Sequence, residues 1–329
     1  MSLLPVVLGI DYGGTKIAVA VCDLAGSQLA SEVVASGGEL GAEASFERGI
    51  TVARDLLDRR APGAKLAAVG VSTFGIPFED RVELAPAIAG WENLAMGREL
   101  RAAFAGARIR MATDAKAAAQ AETRWGALAG CDPAVYLNLG TGLAIAIVAG
   151  GHVVGGCHGA AGEIGYNLRS VSDVGLALDQ RTPLEEMVSG QALARRASGQ
   201  AGRNEPLAAA DVFGSHVEDD ALDRLIAEFV DELAFHLVNL AIVVNPARIA
   251  VGGGLVGSWE RIRPRLQHAL SCGVPFPPEL VVAHFPYDAP LIGAVALAVD
   301  AALAVSLHET KDPEADGGCR VMLHQDTMA

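Results

Sequence analysis

The stretch VVLGIDYGGTKIAVA, residues 6–20, decides the fold. Val6, Val7, Leu8 and Ile10 form an apolar run that leads into Asp11-Tyr-Gly-Gly-Thr-Lys16, and Ile17 to Ala20 leave it as a second one. Two strand-like runs joined by a Gly-Gly turn read as a β-hairpin. Gly13 and Gly14 bare backbone N–H groups, and Thr15 and Lys16 add donors beside them. A concave patch of that kind suits a phosphate. A Walker-type loop has a longer glycine spacing and a following helix, so this is a different device. Taken alone, the turn is equally a plain hairpin, and the rest of the chain has to separate the two readings.

A chain of 329 residues is long enough for two domains, each with its own core. It is 51% hydrophobic and only 19% charged, with 38 glycines, which suits a compact α/β enzyme rather than a disordered or fibrous chain. A net charge of −14 repels nucleic acid phosphates and acidic membranes, so neither is expected as a partner. The five cysteines, at 22, 131, 157, 272 and 319, are scattered and form no CxxC pair. They read as reduced cytosolic thiols and argue against a cysteine-built metal site. The N-terminal residues lack the basic and apolar regions of a secretory leader. The uncharged run 134–151 contains Asn138, Thr141 and several glycines, and reads as strand, turn, strand rather than a membrane span. A soluble, cytoplasmic protein is the expectation.

In chain order, a third strand is expected at 28–35, a helix at 46–60 ending in Arg59-Arg60 before Pro62, and a buried strand at 66–72. The order β-β-β-α-β makes a mixed sheet, not a Rossmann repeat. A helix at 94–104 and a strand at 108–113 follow. Asp114 then opens an Ala-rich helical stretch, 115–128. An Asp at such a junction caps the helix more often than it catalyses, and both readings stand at this point. Residues 134–149 repeat the opening theme around Gly140-Thr141-Gly142, which suggests two similar halves holding a polyphosphate between their turns. Glu163 sits in the glycine-rich loop 155–166. Helices are expected at 184–197 and 221–244, the second with a core or oligomer stripe. The glycines 252–254 let backbone approach a flat ligand such as a purine before a helix near 259–270. A last Ala-rich helix at 290–305 precedes a polar tail.

Read in order, LGIDYGGTK at 8–16, GIP at 75–77, AGW at 89–91, TDAKAAAQAE at 113–122, LGTG at 139–142, GAAGEIG at 159–165, LEEMVSG at 184–190, NPARIAVGGG at 245–254 and APLIGAVALA at 289–298 resemble the ROK family of sugar kinases. The resemblance implies an α/β, two-lobed actin/hexokinase-like ATPase (ribonuclease H-like) fold. It places an N-terminal lobe at 1–113 with helix 290–305 packing back on it, a C-terminal lobe at 114–289, and a disordered tail at 306–329. It implies ATP and Mg²⁺ as cofactors, a sugar or polyol substrate, and a homodimer. Asp114 matches the general base that takes the proton of a sugar hydroxyl, and a transfer of this kind asks the protein mainly for positioning and charge stabilisation. Gly13, Gly14, Thr15 and Lys16 match one phosphate loop, and Gly140, Thr141 and Gly142 the other. Asp11 matches the carboxylate near Mg²⁺, through water, and Gly253 and Gly254 the adenosine side. Gly75, Thr113, Glu163, Tyr166 and Glu185 match the sugar-facing positions. This fold also hosts polyphosphate as donor.

The departures from the family pattern carry information of their own. Tyr166 replaces a His that many members use with a cysteine cluster to bind zinc, and the loop 167–183 has neither Cys nor His. Zinc needs about four N/S ligands, so no zinc is expected. Thr113 and Ala87 stand where Asn is common, and Lys116 where Asn is usual one turn from the base. Lys116 reads as a solvated helix residue. Leu143–Ala146 replaces a glycine-rich continuation of the second phosphate loop. Three sugar-facing positions differ at once, which points away from plain glucose toward a fructose, amino sugar, N-acyl hexosamine or cyclitol. Two rivals remain. A sugar-sensing regulator would carry a DNA-binding segment ahead of the hairpin, for which no room is expected before residue 6. A non-catalytic sugar binder would release no ADP.

Overall fold

A computed structural model describes residues 4–200, 212–213 and 220–308. Strands β1 (Val6–Tyr12), β2 (Lys16–Cys22) and β3 (Gln28–Ala35) form an antiparallel meander. Helix α1 (Ala42–Arg60) returns the chain to β4 (Leu66–Thr73), parallel to β1. A small hairpin, β5 (Ile76–Pro77) with β6 (Val82–Glu83), and helix α2 (Met96–Ala103) lead to β7 (Arg108–Thr113), parallel to β4. The first sheet therefore has the order β3-β2-β1-β4-β7. It is the mixed sheet expected from the order of apolar runs.

Helix α3 (Asp114–Trp125) crosses to a second sheet, made of β8 (Ala134–Leu139), β9 (Leu143–Ala149), β10 (His152–Val153), β11 (Arg248–Gly252) and β12 (Glu279–Val282). Its order is β10-β9-β8-β11-β12, with β8–β9–β10 antiparallel and β8–β11–β12 parallel. Both sheets thus share one layout, an antiparallel meander continued by two parallel strands, as the repeated Gly/Thr turn suggested. Helices α4 (Gly190–Gln200), α5 (Asp220–Val244) and α6 (Trp259–Gly273) cover one face of the second sheet through Leu193, Phe229, Leu233, Ile262 and Leu266. Helices α1 and α2 cover one face of the first through Phe46, Ile50, Met96 and Leu100.

The remaining two faces meet on a pair of helices. Helix α7 (Ala289–His308) lies on β1 and β4, and α3 lies on β8 and β9, with α3 and α7 packed against each other. Helix α7 is apolar nearly all round because a sheet and a helix cover it on different sides. The approach is backbone to backbone. A Cβ on Gly70 would stand 1.9 Å from the Ala294 carbonyl oxygen, and one on Gly293 1.9 Å from that of Ala117. Polar groups lock the crossing: Asp300 accepts from Gln120 Nε2 (2.6 Å) and pairs with Arg124. The fully buried Glu122 carboxylate accepts from the amides of Ala127 (2.6 Å), His284 (3.0 Å) and Phe285 (2.7 Å). It ties α3 to the segment that enters α7.

Several boundaries differ from expectation. α1 starts at Ala42, because Ala, Glu, Ala and Ser before Phe46 extend the helix without large apolar residues. α3 stops at Trp125, where Gly126 leaves helical geometry. The helix expected over 184–197 is a 3₁₀ turn at Leu184–Glu186 and an α-helix only from Gly190. β5, β6, β10 and β12 are too short to stand out in an apolar pattern. α7 continues through 306–308, three residues into the expected tail, since Ser306-Leu307-His308 holds no helix breaker; the rest of that tail, 309–329, lies outside the described residues. Among the described residues no helix is long and apolar enough to cross a membrane.

Replacing Glu122 by Ala leaves three amides around an emptied site, each costing about 1–3 kcal/mol if buried without an acceptor. Urea unfolding of Glu122→Ala is expected to show a loss of about 2–4 kcal/mol after partial collapse of the site. A loss below about 0.5 kcal/mol, the range of ordinary surface changes, would contradict this role.

Candidate active site

The parallel strands of each sheet end side by side, and the chemistry-bearing residues lie at those ends. Asp11 is next to last in β1 and pairs across the ladder with Ser72 of β4. Thr113 ends β7 and Asp114 opens α3. The bland reading of Asp114 as the helix cap is displaced: Thr113 is the N-cap, its Oγ1 accepting from the Lys116 amide at 3.4 Å. Asp114 is the first helical residue, and its Oδ1 accepts from the Ala115 amide at 2.6 Å. Its other oxygen has no hydrogen-bond donor among the described residues.

Both aspartates are held away from the ordinary carboxylate range. Burial pushes Asp11 up to about 7, with the Asp114 charge adding to it and Ser72 and Lys16 opposing. Burial pushes Asp114 up to about 6, against the Ala115 amide, with Glu163 and Glu185 adding to the rise and Lys116 opposing it. Glu163 is likewise raised by burial, opposed by Lys116. The Tyr166 phenol is raised by burial and by the charges of Glu185 and Glu163. Asp11, Asp114, Glu163, Tyr166 and Glu185 therefore share one electrostatic neighbourhood, although they come from four separate stretches of chain, Glu163 and Tyr166 lying on the same loop.

Glu185 is not on an α-helix. It sits on the 3₁₀ turn, where its Oε2 accepts from the Leu143 amide at 2.7 Å and closes against Gly142. Helix α4 then begins under the same turn: Ser189 caps it, the Gly190 amide donates to the Gly140 carbonyl (2.7 Å) and the Gln191 amide to that of Thr141 (3.3 Å). Those contacts explain the broken helix, since the amides of its first turn are used to hold the loop. Gly253, at φ 95°, lies so near this loop that a Cβ there would stand 2.5 Å from the Leu139 carbonyl oxygen. Gly140, Thr141, Gly142, Gly253 and Gly254 thus form one contiguous rim.

The opening turn is also a hairpin tip. Gly13 donates to the Lys16 carbonyl (2.9 Å), and Gly140 to that of Gly142 (3.1 Å), so these two amides are used internally. Among the described residues nothing accepts from the amides of Gly14, Thr15, Thr141 or Gly142. Thr15 and Lys16 are exposed. Beside this tip Gly14, Thr15, Ser36, Gly37, Gly38 and Ala87 line an open groove of about 450 Å³. Gly75 opens the β5–β6 hairpin, where φ is 77°.

Lys116 corrects the expectation of a solvated residue. Its side chain is 8% exposed, and Nζ lies 3.4 Å from Glu163 Oε1. The signal available in sequence was its place as the first cation on an Ala-rich helix directly after Asp114. Among the described residues no group of three or more His, Cys, Asp or Glu could hold a metal ion. Magnesium asks for less, since one or two carboxylates and substrate phosphates suffice. Asp11 fits that need: it is a raised carboxyl next to the fully buried Ser72 hydroxyl, whose oxygen makes no well-formed hydrogen bond among the described residues.

With this geometry in place, comparison with known proteins becomes informative. Residues 7–301 match the ROK family. The chain belongs to that family. It is 30% identical over 273 residues to the kanosamine kinase of Amycolatopsis mediterranei (strain S699), covering 81% of this chain and 86% of that one. The ROK hexokinase of Thermus thermophilus matches with a TM-score of 0.75 at 28% identity, over 92% of this chain and 99% of that one. A ROK family glucokinase from Streptomyces griseus, in complex with glucose and AMPPNP, matches with a TM-score of 0.71 at 27% identity, over 89% and 99%. This ROK protein therefore has the two-sheet fold of the actin/hexokinase-like ATPases.

A carboxyl whose folded value is raised above its unfolded one costs stability once it ionises, and the cost vanishes below the unfolded value. Asp114→Asn keeps the acceptor for Ala115 and removes that charge. Without ligands it is expected to be more stable than wild type by on the order of 1–2 kcal/mol at pH 8, the gain shrinking toward zero by about pH 4. Thermal midpoints across that range test it, and a variant less stable at pH 8 would contradict the assignment.

Proposed function

We propose that this ROK carbohydrate kinase transfers the γ-phosphate of ATP to a hydroxyl of a hexose or related polyol, with Asp114 as general base. The observation that carries the reading is the raised Asp114 carboxyl, with one oxygen without a donor among the described residues, coupled through charge to Asp11, Glu163 and Glu185. A base with a value near 6 is ionised at neutral pH yet basic enough to take a proton in the transition state. Glu163 and Glu185 accept from sugar hydroxyls, and the Tyr166 phenol offers one further bond. The free amides at Gly14, Thr15, Thr141 and Gly142 bind phosphate oxygens, and the rim of Gly253 and Gly254 takes the adenosine. Asp11, through water and beside Ser72, would hold Mg²⁺, which when bound neutralises charge on the transferring phosphates. ATP as donor is supported by the AMPPNP complex of the glucokinase relative.

In this reading residues 1–113 with α7 form one lobe and residues 114–289 the other. Their closure excludes the water that would otherwise accept the phosphate. The protein works as a cytoplasmic homodimer, for which exposed Phe235, Ile242 and Val243 on α5 offer an apolar face.

A coupled ADP-release screen over hexoses, hexosamines and cyclitols is expected to find at least one acceptor, and Asp114→Asn to lower its turnover by about 10²–10⁴-fold. No release above background with any acceptor would favour a non-catalytic binder, and wild-type rates in the variant would reduce Asp114 to a structural residue. Because the base acts ionised and its value is raised, kcat/KM is expected to fall as pH drops through the range from about 7 to 6, with the two coupled aspartates sharing the limb. A profile flat to pH 5 would contradict it. Elemental analysis of the purified protein is expected to find no stoichiometric zinc, because residues 167–183 offer no thiolate or imidazole; one zinc per chain would overturn that.

A further inference from the structure

The acceptor side of the site contains one buried cation. Lys116 lies in the first turn of α3, two residues after the base, with its side chain 8% exposed. Its Nζ meets Glu163 Oε1 at 3.4 Å, the outer limit of a hydrogen bond. An ammonium carries three donors, and the described residues supply Lys116 with no other acceptor. Burying a charge with its donors unfilled is costly unless something completes the set. Glu163 is in the same position on the other side: it is a partly buried carboxylate, 24% exposed, that receives a bond only from Lys116. The two groups form a donor and an acceptor side by side, next to the base.

We propose that Lys116 is a specificity-determining residue that, with Glu163, reads a pair of adjacent hydroxyls on the acceptor. One hydroxyl oxygen accepts from the ammonium, and its neighbour donates to the carboxylate. This rests on the kinase reading for the identity of the pocket and extends it to substrate class. The matched ligand is a neutral vicinal diol of a sugar or polyol. An amine at the position facing Lys116 is protonated at neutral pH, has no lone pair to accept with, and brings two cations together. The pair therefore selects a neutral polyol over the aminodeoxy sugar substituted at that carbon.

The test is calorimetric binding without nucleotide, so that it does not depend on turnover. The probes are glucose, mannose and fructose, with the 2-, 3- and 4-aminodeoxy derivatives of the hexose that binds best. A hydrogen bond to a charged group corresponds to roughly 10–100-fold in affinity. Wild type is expected to bind the parent hexose at least ~30-fold more tightly than one positional amine. Lys116→Met is expected to weaken the parent ~10-fold and to shrink that gap below ~5-fold. Lys116→Arg should restore part of both. The double variant Lys116→Met with Glu163→Gln removes the charge pair without orphaning either partner, and it should keep the fold while losing the discrimination. A parent-to-amine ratio unchanged within about twofold in Lys116→Met would overturn the proposal and leave a structural ion pair. So would wild type binding none of these sugars. Sugar binding with this pattern but no ADP release would defeat the kinase reading alone.

Discussion

The fold depends on one steric constraint, the backbone contact between α7 and its two neighbours. Gly70 on β4 and Gly293 on α7 leave no room for even a methyl group, at 1.9 Å in each case from a carbonyl oxygen. That contact lets α7 lie flat on the first sheet while α3 lies on the second. Glu122 and Asp300 then add directional bonds to an otherwise non-directional Ala-on-Ala packing. The consequence for function is positional. Asp114 begins α3, so any shift of α3 against α7 moves its carboxyl relative to that of Asp11, which stands on the strand beneath α7.

The duplicated layout puts a glycine turn at the same place in each half, between the first two strands of each meander. In each half a meander is continued by two parallel strands, and parallel strands end on one edge. Asp11 and Thr113 mark that edge in the first sheet, and Asn138 with Gly252 in the second. Each turn alone offers only two free amides, a weak anion site, and the proposed function needs both turns on one polyphosphate.

Much of this was legible in sequence because apolar runs broken by glycine are local signals. Strands β1, β2, β3, β4, β7, β8, β9 and β11 lie where the runs placed them within a residue or two, and so does the long α5. What failed to show was decided by distant partners. Residues 184–189 have helical composition, yet Glu185 turns to the Leu143 amide and the first amides of α4 bond the Gly140–Thr141 carbonyls, so local propensity loses to a long-range bond. Lys116 reads as a surface residue on any propensity scale, and only the loop 155–166, folding back over α3, buries it against Glu163. The motif with the strongest sequence signal, Asp11–Lys16, leaves two amides free at its tip and carries nothing about an acceptor.

The acceptor side shows why a lysine belongs among so many carboxylates. Burial raises the proton affinity of Asp114 and of Glu163, and the charges of Glu163 and Glu185 add to the rise at Asp114, as that of Glu185 does at Glu163. Each of those neighbouring charges makes the Asp114 carboxyl harder to ionise. Lys116 opposes the rise at both Asp114 and Glu163. A shorter neutral side chain such as Asn could still bond a polar group, but it would supply no charge. Under the proposed function the ammonium that opposes the rise at Asp114 also meets the acceptor, so charge balance and substrate choice cannot be changed independently at this position.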